Sequence, residues 1–239
     1  VTRESVVGLV VLGVLLLLVV AAAVLGRTAS RRRRDAQDAL LRELGWEPGP
    51  GDDALLDRWK GAPFDVQDRG RVEDLRRGTV DGRRLVTFRY AWRSAATMAS
   101  RGRPTMAECQ VVALDVPGEV PTVEVVPAGY RQPSVQRVVG RQVVFDDPVF
   151  AATWTVRAPD ELAAHDLLTE PVRQVLLTPA YGGVRLRFEG RAVLSWTDGP
   201  APVEDVRDLA VLLAGVLAHV RAPERPEGEG PRSAQVPDR

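Results

Sequence analysis

Residues 6–25 form an unbroken run of Val, Leu, Ala and Gly without a charged or polar side chain. As a helix such a run is about 30 Å long, the thickness of a bilayer's hydrocarbon core. It is apolar on every side, which predicts one transmembrane helix after a short tail, residues 1–5. Beyond it the pattern becomes amphipathic. Residues 35–44 (DAQDALLREL) predict a helix stopped by Gly45. A second short helix carries Leu55, Leu56 and Trp59, with Asp52 or Asp53 as its cap. Then the period shortens. Val86, Phe88, Tyr90 and Trp92 alternate with Thr87, Arg89 and Ala91, the pattern of a half-buried strand. Strands are predicted at 79–92, 107–116 and 120–126, the last two joined by a tight turn at Val116-Pro117-Gly118-Glu119.

The second half repeats the mixture. Strands are predicted at 142–145 and 152–157, and helices at 159–168 and 170–177. Segments 184–188 and 192–196 predict a hairpin across Glu189-Gly190-Arg191. Residues 203–221 predict the best helix, with Val206, Leu209, Leu213, Val216 and Val220 at spacings of three and four. Its Glu204 and Asp205 lie at the N-terminus, and His219 and Arg221 at the C-terminus, as the helix dipole favours. Residues 222–239 are rich in Pro, Gly and charge, and predict a disordered tail. The order of elements predicts an α+β domain over 35–221: a mainly antiparallel sheet with packed helices. It follows one N-terminal transmembrane helix and an Arg-rich juxtamembrane segment, residues 26–34.

Charge orients this arrangement. Lys+Arg and Asp+Glu both number 32. Arg27, Arg31, Arg32, Arg33 and Arg34 follow the apolar run, whereas before it Arg3 is offset by Glu4. Cytoplasmic flanks carry the Lys/Arg excess. The expectation is a single-pass protein of the cell membrane, in contact with the lipid bilayer, its domain cytoplasmic. The competing reading is a signal peptide cleaved near Ala21-Ala22-Ala23, which would leave the domain extracellular. Residues 35–239 carry a net charge of −5, which argues against a nucleic-acid partner. Lys60 is the only Lys. That bias matches GC-rich coding and is not read as phosphate recognition.

The search for chemistry returns no phosphate loop, dinucleotide fingerprint, metalloprotease helix, paired-Cys motif or nucleophile elbow. The two histidines, His165 and His219, lie on separate predicted helices, and each has a local structural explanation. Cys109 falls in a predicted strand, as a buried inert thiol would. Asp52-Asp53 and Asp146-Asp147 sit where helix starts and turns favour Asp. No catalytic, cofactor-binding or metal residue is assigned, and no cofactor is expected. Trp46, Trp59 and Phe64 are close in sequence. They form either a candidate docking surface or, the favoured reading, a cover for one end of the sheet. The expected function is a membrane-tethered binding or scaffolding module acting on another membrane or cytoplasmic protein. The alternative is a membrane-associated enzyme with a carboxylate-based active site, a hydrolase for example.

Two sets of residues carry a resemblance. Gly45-Trp46, Asp52-Asp53, Leu55, Arg58-Trp59, Gly61 and Pro63-Phe64, then Arg77-Gly78 and Phe88-Arg89-Tyr90, resemble uncharacterised membrane-anchored proteins of high-GC Gram-positive bacteria. Phe150, Trp154-Thr155-Val156, Ala164-His165-Asp166-Leu167-Leu168-Thr169 and Pro171 are similar to a bacterial domain family of unknown function. The resemblance implies hydrophobic helices joined to a soluble α+β domain. It implies no activity and no site residues.

Overall fold

One antiparallel sheet organises the computed structural model, which describes residues 35–60, 63–64, 70–93, 106–130 and 140–220. The apolar run 6–25, the Arg-rich segment 26–34 and the tail 222–239 lie outside those residues. Among the described residues no helix is long and apolar enough to cross a membrane.

The chain divides into two compact units, Val1–Glu47 and Pro48–Arg239. The division falls inside the 35–221 span expected as one domain. In the first unit, helix α1 covers residues 35–43. Gly45 ends it with φ +65°. There the Trp46 N–H donates to Leu41 O at 2.9 Å and the Gly45 N–H to Arg42 O at 3.1 Å. This paired closure satisfies carbonyls that the helix end would otherwise leave open. The two-residue strand β1, Glu47–Pro48, marks the junction.

In the second unit, α2 (Leu55–Arg58) precedes β2 (Arg71–Val80), β3 (Arg83–Arg93) and the 22-residue β4 (Met106–Pro127). Next come β5 (Arg141–Val143), α3 (Pro148–Thr153) and β6 (Trp154–Ala158). Helices α4 (Glu161–Leu167) and α5 (Glu170–Leu176), strand β7 (Leu186–Trp196) and helix α6 (Val203–Leu217) complete it. The strand order is β2-β3-β4-β6-β5, with β7 also on β4. The first half of β4 lies between β3 and β7, and its last residues lie between β6 and β7.

The α+β class and antiparallel sheet are as expected; several boundaries are not. Strand β2 is missing from the sequence reading. Its Arg and Glu positions hide it, and the hairpin turn at Asp81-Gly82 falls inside the strand expected at 79–92. Both turn residues have positive φ, +48° and +73°, the geometry that Asp-Gly favours in two-residue hairpins. The turn expected at Val116–Glu119 does not reverse the chain, because β4 runs through it. Nor do 184–188 and 192–196 form a hairpin, since β7 is continuous. The register between β4 and β7 slips between Asp115 and Val123, where Val120 faces Gly190. Gly190 has φ +61°. The Pro/Gly chemistry of both segments therefore serves matched bulges that bend two paired strands together. The strand expected at 152–157 begins later, because Asp147 caps α3: its side chain accepts the Phe150 N–H at 3.0 Å.

Alternation gives the sheet two buried faces. Phe88, Tyr90, Val111, Ala113, Ala192, Leu194 and Trp196 share one core cluster with Leu55, Leu56, Trp59 and Phe64. The intervening residues Leu85, Val112, Leu114 and Val193 are equally buried, and α4 and α6 pack on β4. Gly140 sets the approach of β5 to β6. Its φ is +60°, and an added Cβ would fall on the Ala158 carbonyl and the Pro159 nitrogen. Gly140→Ala should lower stability by at least about 1–2 kcal/mol from left-handed strain alone. A thermal melt superimposable on the parent's would show that this approach is not tight.

Candidate functional site

The aromatic trio singled out from sequence is turned inward. Trp59 and Phe64 are buried in the α2 core cluster, their ring centroids 5.6 Å apart. Trp46, in the first unit, is also buried. These three do not present a surface to an external partner. Arg27, Arg31, Arg32, Arg33 and Arg34 lie outside the described residues. Cys109 is buried, and burial pushes its thiol up to about 12, which keeps it protonated and inert. His219 lies beyond α6, its Nδ1 3.0 Å from Gly215 O. Among the described residues no three His, Cys, Asp or Glu side chains converge on a cation site.

The structure brings together a charged row that sequence reading passed over. Glu124 of β4 stands directly opposite Arg157 of β6 and Arg187 of β7. Glu124 and Arg187 have no solvent exposure. Arg157 Nη1 is 3.8 Å from Glu124 Oε2, and Arg187 Nε is 3.1 Å from Glu189 Oε2. Glu189 Oε1 accepts the Lys60 N–H at 2.9 Å, tying the segment after α2 to β7.

Aromatic rings interleave with this row. The Arg187 guanidinium lies 5.8 Å from both the Phe64 and Trp196 rings. Arg185 lies 5.7 Å from Trp196 and 5.2 Å from Tyr130, and bonds Asp198 at 2.7 Å. Burial raises the proton affinity of Glu124 against the opposing pull of Arg187 and Arg157. Burial likewise lowers that of Arg187 against Glu189 and Glu124. Desolvation thus outweighs mutual attraction on both sides. The Glu124 carboxyl and the Arg187 guanidinium are enclosed between the strands, so the row is a buried charge lattice. Charged residues inside apolar strands are ordinarily read as the solvent face, which is why the sequence concealed it.

The second cluster reaches solvent through His165 and Arg173. Phe145, just after β5, joins α3, α4 and α5. Its ring centroid is 5.3 Å from Phe150 and 4.3 Å from His165, and the Arg173 guanidinium lies 5.5 Å away. Arg173 Nε is 3.6 Å from the capping carboxylate of Asp147, and its Nη1 donates to Leu168 O at 2.8 Å. Three apolar side chains on the segments that meet here are exposed. Val144, Val149 and Leu162 are 71%, 62% and 77% exposed. Val144 precedes Phe145, Val149 precedes Phe150, and Leu162 lies one turn before His165 on α4.

The signal for Leu162 was present in the sequence. It is the apolar residue of α4 that falls off the Ala164, Leu167, Leu168 stripe. His165 is half-buried against Phe145, with Glu161 Oε1 4.0 Å from its Nε2. Asp147→Ala would remove both the α3 cap and the partner of Arg173. It should cost about 1–2 kcal/mol, seen as a lower urea midpoint with an unchanged slope. A loss below about 0.5 kcal/mol would mean that the node does not depend on Asp147.

Neither a protein-family model nor a curated protein matches the chain. The loose motifs similar to a bacterial domain family therefore meet no family model. Among solved structures, the mycobacterial trehalose monomycolate transport factor A, TtfA, is similar with a TM-score of 0.49 at 15% identity, covering 77% of this chain and 93% of that one. At that distance no residue, ligand or activity passes from TtfA to this chain.

Proposed function

We propose that the chain is a membrane-tethered binding or scaffolding module with its α+β domain on the cytoplasmic side. The observation that carries the binding part is the exposure of Val144, Val149 and Leu162, apolar side chains on three segments that meet at Phe145. Exposed apolar side chains cost solvation, and a group of them on a fixed scaffold is how an interaction face is built. The tether and orientation rest on the apolar run 6–25 and the five Arg residues behind it.

Two measurements test these halves. A photo-crosslinking side chain at position 162, introduced into the full chain in cells, should yield a discrete adduct that is lost when Val144 and Val149 become Gln. An alkaline phosphatase fused after residue 239 should be inactive, and a fluorescent protein there should fluoresce. Absence of any position-162 adduct sinks the binding reading. An active phosphatase puts the domain outside.

The enzyme alternative has one observation in its favour, the raised proton affinity of Glu124. It requires that Glu124→Gln abolish a hydrolytic activity while the fold persists.

A further inference from the structure

We propose that Arg187 is the moving part of a pH-operated clamp: loss of the Glu124 proton draws its guanidinium from Glu189 to Glu124 and releases the segment after α2. The geometry is one buried cation between two carboxyl groups. Glu124 stands directly opposite Arg187 in the β4–β7 ladder, so their side chains lie on one face. Glu189, two residues along β7, shares that face. Arg187 Nε is 3.1 Å from Glu189 Oε2, yet that oxygen accepts no hydrogen bond, so the contact is a poorly aligned ion pair. Among the described residues neither oxygen of Glu124 accepts a hydrogen bond.

The charged groups that face Glu124 among the described residues are Arg157 from β6 and Arg187 from β7, with Glu189 beside Arg187. The α2 side contributes the Phe64 ring, 5.8 Å from the Arg187 guanidinium, and no charge. Arg157 Nη1 is 3.8 Å from Glu124 Oε2, and the Arg157 side chain is 22% exposed, so the proton passes to water on the β6 side. While Glu124 is protonated it is neutral, and Arg187 belongs to Glu189. Deprotonation puts a full negative charge in a site without solvent exposure, where an unmatched charge is costly. Arg157 serves one carboxylate oxygen, and the cation on the opposite side is Arg187. Burial raises the proton affinity of Glu124 against the pull of both arginines, so the exchange falls above the ordinary carboxyl range.

Glu189 transmits the exchange. Its Oε1 accepts the Lys60 N–H at 2.9 Å, and its side chain is 13% exposed. It precedes Gly190, where the β4–β7 register slips, so it stands at an irregular point of the ladder. A carboxylate that loses its buried cation gains by turning to water, and the Lys60 N–H is then released. The attachment of the α2 segment to β7 is therefore tight in acid and loose in alkali. This device is independent of the binding role given to Val144, Val149 and Leu162.

Amide hydrogen exchange of the full chain in nanodiscs of neutral phosphatidylcholine tests it, read as protection factors so that the intrinsic pH dependence cancels. From about pH 5 to about pH 9, protection of the Lys60 N–H should fall about tenfold or more, as for a local opening. The Leu168 N–H, bonded to Ala164 O at 2.9 Å on α4, should lose less. In E124Q, which holds the neutral form, the fall at Lys60 should disappear. In E189Q, which keeps an acceptor for Lys60 without the charge that Arg187 follows, it should disappear as well. Lys60 protection that is flat with pH in the parent overturns the proposal. So does an equal fall at Lys60 and Leu168, which is global unfolding. A fall that persists in either folded variant overturns it too, and if E124Q does not fold, E189Q decides.

Discussion

Arg187→Met should destabilise the chain by about 3–5 kcal/mol, because it leaves two carboxylates beside a vacated buried cation site. Arg187 has no solvent exposure, pairs with Glu189 at 3.1 Å and lies opposite Glu124 across the β4–β7 ladder. Methionine can occupy much of the space between Phe64 and Trp196, so packing is the smaller part of the loss.

The pH dependence separates the two contributions. Glu124 binds its proton more tightly in the folded chain than when unfolded, because burial outweighs Arg187 and Arg157. A raised carboxyl gives a stability contribution that is full below the unfolded value and lost as pH rises through the folded one. Removing Arg187 takes away one of the two cations that lower it, so the window of loss moves upward. The deficit of Arg187→Met should therefore be smaller near pH 5 than near pH 8. Adding Glu124→Gln should recover part of the high-pH deficit. Urea denaturation of the detergent-solubilised chain at the two pH values measures this. A deficit under about 1 kcal/mol, or one independent of pH, would mean that the row is hydrated.

The elements legible in the sequence were those whose period matched their burial. α4, α5 and α6 lie within a few residues of the expected helices, since each buries one apolar stripe, α4 and α6 on the sheet and α5 against α6. β3 announced itself through Phe88 and Tyr90, which alternate into the core. What failed was punctuation. Pro117-Gly118 and Gly190 look like chain reversals, because the left-handed or extended conformations that glycine permits serve turns and bulges equally. Only the pairing partner distinguishes them, and β4 and β7 are each other's partner on both sides of the irregularity.

Asp53 makes the same point for caps. The sequence offers Asp52 or Asp53 as the cap of α2, whose N-cap is Ala54. The Asp53 carboxylate instead accepts the Val72 N–H at 3.1 Å, on β2 and nineteen residues away. Side-chain oxygens that satisfy a nearby helix can equally satisfy a strand, and sequence distance does not choose between them. The Phe145 cluster was half legible: Leu162 stands off its helix stripe, but the meeting of Phe145 with Phe150 and His165 depends on tertiary packing.

Trp59→Ala should cost about 3–5 kcal/mol, the range for deleting a large aromatic from a packed core. Had Trp59 been part of a docking surface, the same change would lie within about 0.5 kcal/mol of neutral. The structure puts Trp59 against Phe64 and Phe88, with ring centroids 5.6 Å and 6.2 Å away. Arg58 lies 5.3 Å from its ring, and neighbouring Lys60 is bonded to Glu189 through its backbone N–H. Truncation therefore opens a cavity at the point where the short α2 segment closes the sheet. The neighbours have little freedom to fill it, since Phe88 is fixed in β3 and the Phe64 ring is in contact with Phe88 and Tyr90 as well as Trp59. Trp59→Phe, which keeps a ring in the stack, should retain most of the stability. The variant pair also separates core from surface functionally. If Trp59→Phe holds the fold and leaves the position-162 crosslink intact, binding belongs to the Leu162 side of α4. A Trp59→Ala chain with an unchanged melt and a lost partner would return the docking role to the aromatic trio.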